Sequence, residues 1–318
     1  MGWLIEQGIG EERALRYSGG HAVAARVRWP GALEPGLVAD AVLVERARGS
    51  QRGRGRFPGG EEALVDRLPA DASEGAPVRL EVTRAAVREA RRVKLAQARP
   101  TDAPARPAPT LAEALGGTVV RRFPDEAWSE ICAEAADGAV AFAGGTLHFA
   151  PTVAMTLVDV DGALPPRELA LAAVAPLATA IERFALGGAV GIDFPTLPAR
   201  ADRQAVDAAL GRALAGWDHE RTAMNGFGFV QMVARCERPS LLHRVQFEAA
   251  AAAARLLLRQ AEGLAGAGAV LLTAHPRVLA EIAPEWTAEL ARRTGRIVRF
   301  TPDAAIATAA GHAQIMPP

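Results

Sequence analysis

Lysine is nearly missing from this chain of 318 residues; it occurs once, at Lys94. Cysteine occurs twice, at Cys132 and Cys236, with no CxxC pair and no Cys/His spacing of the zinc kind. Neither a disulfide framework nor a zinc site is therefore expected. No uncharged apolar run approaches the ~18 residues that a membrane-spanning helix needs; "EAAAAAARLLLRQAEGL" is broken by charges at helical intervals. The opening "MGWLIEQGIGEERALRY" has no basic stretch leading into an apolar core, so no secretory leader is expected and a cytoplasmic location is. Net charge is zero, which argues against a protein that is basic all over.

Arginine stands where lysine is missing, and it is unevenly placed. Between Arg46 and Arg99 there are thirteen Arg/Lys against seven Asp/Glu, which leaves 23 against 29 for the rest of the chain. One basic segment on an acidic remainder is the asymmetry of a polyanion-binding patch. With half of the residues hydrophobic, the chain is long enough for two or three compact units.

The expected fold is multidomain α/β of the α+β kind. Residues 1–98 read as a β-rich region, with short strands at "WLIEQGIG", "HAVAARVRWPG" and "LVADAVLVERA". "RARGSQRGRGRFPGGEE", with five arginines from Arg46 to Arg56, reads as a flexible basic loop within a small β-barrel that ends near residue 98. Residues 99–110 are proline-rich and read as a stiff linker. Residues 111–245 alternate strand and helix, and "VAMTLVDV", a long helix entered through Pro165 and Pro166, then "GGAVGIDF" make a right-handed parallel crossover. Residues 246–318 read as a small α/β unit.

The crossover strands carry the chemistry. Asp159 closes the first and Asp193 the second, so neighbouring strands would put both carboxylates at one sheet edge, where open α/β folds bind ligands. Two carboxylates that close repel unless a divalent cation lies between them. Mg²⁺ suits such a pair because it takes one or two carboxylates and keeps several waters. Asp161 returns to the same face and could hold a metal-bound water. Aspartate is also common just after a strand, where it caps turns, and spacing alone leaves the two readings level.

Taken in order, "MTLVDVDG", "LGGAVGIDF" and "GFGFVQMVARCERPSLL" resemble the catalytic core of the ribonuclease E/G family, with the clear match running from about Met155 to Leu242. The resemblance implies a Mg²⁺-dependent endoribonuclease that cuts single-stranded, often A/U-rich RNA and leaves 5′-phosphate ends. The family's metal-holding aspartates fall on Asp159 and Asp193, and its supporting asparagine falls on Asp161. It further implies that residues from about 36 to 98 are a shortened OB-type RNA-binding barrel. On it, Arg54, Arg56 and Lys94 would contact RNA and Phe57 would stack on a base, a loop-anchoring role for Phe57 standing equally beside that. Arg235 and Arg238 are expected as further RNA contacts near the catalytic edge.

Departures from the family pattern are equally specific. The 5′-monophosphate sensing region is missing, and so is the zinc-binding Cys-Pro-x-Cys after "RPSLL". A homodimer, if formed, would have no zinc link. Ala234 stands for a family arginine and Gln231 for a glutamate. These losses keep open an alternative, a non-catalytic or weakly active RNA-binding paralogue. His148, His219, His243 and His275 are scattered along the chain and read as ordinary surface or hydrogen-bonded histidines.

Overall fold

The structure is a computed structural model that describes residues 2–317, and its architecture is mixed α/β. The chain opens on β1 (Trp3–Gln7), β2 (Glu12–Ser18) and β3 (His21–Arg28). It continues through β4 (Val38–Arg46), β5 (Gly53–Arg56), β6 (Glu62–Val65) and β7 (Pro77–Arg84), a short pair β8 (Val87–Arg88) and β9 (Val93–Lys94), and β10 (Ala96–Pro100). Then come α1 (Leu111–Leu115), β11 (Thr118–Val120), α2 (Ala127–Asp137), β12 (Ala139–Phe142), β13 (Gly145–Pro151) and β14 (Thr156–Gly162). The crossover continues as α3 (Pro166–Arg183), β15 (Gly188–Asp193), α4 (Arg200–Ala213), β16 (His219–Arg221) and β17 (Phe229–Ala234). The tail holds α5 (Leu241–Phe247), α6 (Ala249–Glu262), β18 (Ala269–Ala274), α7 (Pro276–Leu279), α8 (Pro284–Thr294), β19 (Val298–Pro302) and β20 (His312–Met316).

The central sheet has the order β12-β13-β14-β15-β17-β16, and α3 links its parallel pair β14 and β15. Helix α3 starts where the sequence predicts, because the N–H groups of the first helical turn have no intrahelical acceptor and proline has no N–H to leave unpaired. Its apolar residues from Leu169 to Ile181 recur at three- and four-residue steps and are buried against the sheet. Each such Leu or Ile contributes roughly 1.5–3 kcal/mol by leaving water. The opposite face of the sheet stays open.

Five strands close a barrel in the ring order β10-β6-β5-β4-β7, with β6 and β10 parallel and the other neighbours antiparallel. "GRGR" is a strand of this barrel, not the flexible loop expected. Its glycines point inward: a Cβ on Gly55 would stand 2.8 Å from Leu80 Cδ1, and one on Gly53 would stand 2.8 Å from Leu68 Cδ1. Neighbouring side chains fill that space, so a run without a single apolar side chain still makes a core strand. The intervening arginines point out, as the two-residue period of a strand requires.

Residues 1–98 do not form one unit. Strand β1 pairs in parallel with β11 from far along the chain, and β2 and β3 complete that sheet. Leu15, Ala25 and Trp29 share one core with Trp128 and the central sheet, so the barrel is an insertion between β3 and α1. The proline-rich stretch is likewise held. Arg106 bridges to Val38 of the barrel, and Thr110 caps α1 through a capping box with Glu113.

The tail forms a three-stranded sheet, β19-β18-β20, against α6. Helix α6 is fastened to the start of the chain by a buried chain of charges. Arg259 donates to both Glu6 carboxylate oxygens at 3.1 and 3.2 Å, Arg13 pairs with Glu6 at 2.6 Å, and Arg13 pairs with Glu11 at 2.7 Å. Two arginines and two glutamates thereby cancel inside the protein.

Candidate functional site

Along β14, Thr156, Val158 and Val160 are buried while Leu157, Asp159 and Asp161 are exposed. On β15 the register sets Val158 beside Ile192 and Asp159 directly beside Asp193. Both carboxylates therefore stand on the open face, on parallel strands that run ~4.8 Å apart. The row continues across four strands as His148, Asp159, Asp193 and Phe229. Asp161 lies on the same face opposite Thr146, and one of its carboxylate oxygens accepts the Gly162 N–H at 2.8 Å.

Charge compensation differs between this row and the neighbouring helix. On the helix behind the sheet, Asp202 and Asp207 are paired with Arg167 and Arg221. Among the described residues, no cationic side chain lies in ion-pair range of Asp159, Asp161 or Asp193. Nor do three or more His, Cys, Asp or Glu groups gather there as a metal-holding cluster. The donor set is a pair of exposed carboxylates, and that fits Mg²⁺, which binds through one or two carboxylates and fills its octahedron with water or phosphate oxygens. It does not fit zinc, which takes four close N or S ligands in structural sites.

Apolar and aromatic groups flank the carboxylates. Phe229 lays its ring over Gly191, where a Cβ would meet the ring at 2.5 Å, Met155 Sδ at 2.9 Å and Leu157 Cδ2 at 3.1 Å. Phe227, in the turn before β17, is 80 % exposed. The turn is fixed by Asn225, whose side-chain oxygen accepts the N–H groups of Phe227 and Phe229. Gly191→Ala is expected to push the Phe229 ring aside and cost roughly 1–3 kcal/mol, as overpacking does. Urea denaturation measures the loss, and a stability equal to wild type would show that the ring yields freely.

Several residues expected in the site lie elsewhere. Arg235 and Arg238 follow the end of β17, which runs antiparallel to β15: Phe229 pairs with Asp193, but Ala234 pairs with Gly188. Five residues of strand, ~16 Å at ~3.3 Å each, separate them from the carboxylates. Phe57 is 4 % exposed and sits inside the barrel core, so its ring offers no face to a base. The anchoring role is the one it plays, with its N–H donated to the Glu61 carbonyl across the turn.

The basic barrel surface is partly neutralised. Arg54 pairs with Glu45 at 2.8 Å and Arg56 with Glu62 at 2.8 Å, both on the outer face. Lys94, on the β8–β9 hairpin, pairs with Glu89, which also holds Arg92 at 2.7 Å. Burial alone would raise the Glu89 carboxyl, yet hydrogen bonds from Lys94 and Arg92 hold it below the usual range.

The sequence reads His148 as an ordinary histidine and singles out neither Phe227 nor Phe229. The signal for His148 was the strand alternation in "GTLHFAP", which puts it on the face opposite buried Leu147 and Phe149. The other three histidines have local partners: His219 stacks on Trp217, His243 faces Ser240 at 2.7 Å, and His275 caps α7. Burial pushes the His243 imidazolium down in pKa. Both cysteines are free thiols, and burial pushes each thiol up. Among the described residues no helix is long and apolar enough to cross a membrane.

Set against known proteins, the chain matches no family model and no curated protein.

Proposed function

We propose that the chain is a Mg²⁺-dependent endoribonuclease of the ribonuclease E/G type, hydrolysing single-stranded RNA to leave 5′-phosphate ends. The observation that carries this reading is the in-register pair Asp159–Asp193, exposed on an open sheet face with no cationic partner among the described residues. Asp159 and Asp193 would hold the metal, and Asp161 would orient a water of its shell. The bound ion would supply activation of water and offset negative charge on the phosphate. Leu157, Phe227 and Phe229 would seat the bases that flank the scissile phosphate, stacking being worth roughly 1–3 kcal/mol per base.

Barrel topology supports the same reading. Counted along the chain, the ring order is first-second-third-fifth-fourth. OB-type barrels bind oligonucleotides on strands two and three and on the loops that follow strands one and four. Here those positions carry Arg54 and Arg56 on β5 and Lys94 between β7 and β10. The glutamate partners of Arg54 and Arg56 are exposed or half-buried, and a polyphosphate can compete for such arginines, whereas Glu89, which holds Lys94, is buried.

The test is cleavage of a single-stranded A/U-rich RNA with and without Mg²⁺, by wild type and by Asp159→Asn and Asp193→Asn. Cleavage by wild type alone supports the proposal; no cleavage, or equal cleavage by all three, overturns it. The placement of Arg235 and Arg238 far from the carboxylates favours a second reading, a non-catalytic RNA-binding protein. That reading requires salt-sensitive RNA binding that needs no metal and survives both substitutions.

A further inference from the structure

Arg235 and Arg238, carried away from the carboxylates, line a cavity of about 300 Å³ walled by β3, α1, α2 and the segment after β17. Trp128 lines it too; the residue is 1 % exposed and its indole N–H has no acceptor among the described residues. The Nε–H groups of Arg183 and Arg238, on the same walls, are buried and equally without an acceptor. Arg235 is taken by Glu237 at 3.1 Å and Arg183 by Glu134 at 2.9 Å, but Arg238 has no ion-pair partner among the described residues. Burial draws the Arg238 guanidinium below its usual pKa, against the pull of Glu34 and Glu237.

Buried donors are nearly always hydrogen-bonded, and a desolvated guanidinium without a carboxylate is costly. Arg183, Arg238 and Trp128, from three separate segments, line one cavity, and the guanidinium of Arg238, unlike that of Arg183, is without a carboxylate there, which calls for an acceptor with several oxygens. A phosphate monoester presents three and carries nearly two negative charges, matching the planar fork of arginine. A carboxylate presents two. Leu111, Leu115 and Trp217 give the remaining wall an apolar character suited to a flat organic body. The volume lies at the small end for ligand pockets, which excludes a polymer lying along it.

We propose that this cavity is a binding site for a small phosphate monoester, with Arg238, Arg183 and Trp128 gripping the phosphate. It lies at the opposite end of β15 from Asp193 and is independent of the ribonuclease reading. The test measures thermal unfolding and calorimetric binding of the full chain in EDTA, with inorganic phosphate, adenosine 5′-monophosphate and succinate as probes. Adenosine monophosphate and phosphate are expected to raise Tm in a concentration-dependent way, the nucleotide more strongly, and succinate is not. Arg238→Gln is expected to weaken nucleotide binding about tenfold or more, the size of a lost charged hydrogen bond. Its unliganded Tm should not fall, because it removes a desolvated charge. Trp128→Phe should weaken binding less, and Asp159→Asn not at all. No response to phosphate or the nucleotide at millimolar concentration, an equal response to succinate, or a response that survives both Arg238→Gln and Trp128→Phe would overturn the proposal.

Discussion

Asp159→Asn and Asp193→Asn are each expected to reduce Mg²⁺-dependent cleavage of single-stranded RNA by about a hundredfold or more, with no loss of Tm. The two halves of this expectation come from the same geometry. Each carboxylate is one of the in-register pair at the proposed ion, so its removal takes away half of that pair. A metal's stabilisation of phosphate charge is worth several kcal/mol, and each 1.4 kcal/mol is tenfold in rate. Stability should hold or rise, because neither side chain has a partner to lose among the described residues and two like charges side by side repel. Asp161→Asn is the internal contrast. It keeps an oxygen ligand on the same face and restores the residue that the family resemblance implies, so cleavage should stay near wild type. Gel-resolved cleavage rates across a Mg²⁺ titration decide the matter. A hundredfold loss in Asp161→Asn, with little change in the other two, would move the metal site off the strand pair.

The crossover was legible because both of its strands and its helix follow simple periods. Two-residue alternation in "TLVDVDG" fixed which face Asp159 takes, and the apolar steps of α3 fixed which face is covered. The direction of β17 was not legible. Antiparallel pairing, which no local pattern announces, sends its last residue to the far edge, and Arg235 and Arg238 travel with it. The family resemblance suggested a place for them near the catalytic edge, and the topology sets them at the opposite end of β15.

"GRGR" failed for a different reason. Strand expectations look for apolar side chains, and here the core is supplied by Leu80, Val65 and Leu68 reaching over bare glycines. Phe57, next in the chain, then falls inside by the same alternation. The split of residues 1–98 was also hidden, since the pairing of β1 with β11 joins segments more than a hundred residues apart. Charge counting found the basic segment but not its partners. Cross-strand glutamates such as Glu45 and Glu62 neutralise much of it, and register decides that, not composition.

Arg259→Met is expected to cost about 3–5 kcal/mol of folding free energy, the usual penalty for stranding one member of a buried ion pair. Arg259 is 5 % exposed and grips both oxygens of Glu6, while its remaining Nη1 donates to Glu126 at 3.1 Å and to Ser129 at 3.2 Å. Glu6 in turn accepts the Phe123 N–H at 2.6 Å, so the same carboxylate orders the turn that leads into α2. Without Arg259, Glu6 and Glu11 share Arg13 alone, and one negative charge is left uncompensated in the interior. The double variant Glu6→Gln/Arg259→Met removes both charges and should lose less than the sum of the single losses, because the two residues couple directly. Arg292→Met on the exposed flank of α8 should show no measurable change, since solvent screens its pair with Glu289. Urea unfolding of wild type, Arg259→Met, Glu6→Gln, the double variant and Arg292→Met measures all of this. Equal losses for Arg259→Met and Arg292→Met would mean that α6 is held to the N-terminal sheet by its apolar face alone.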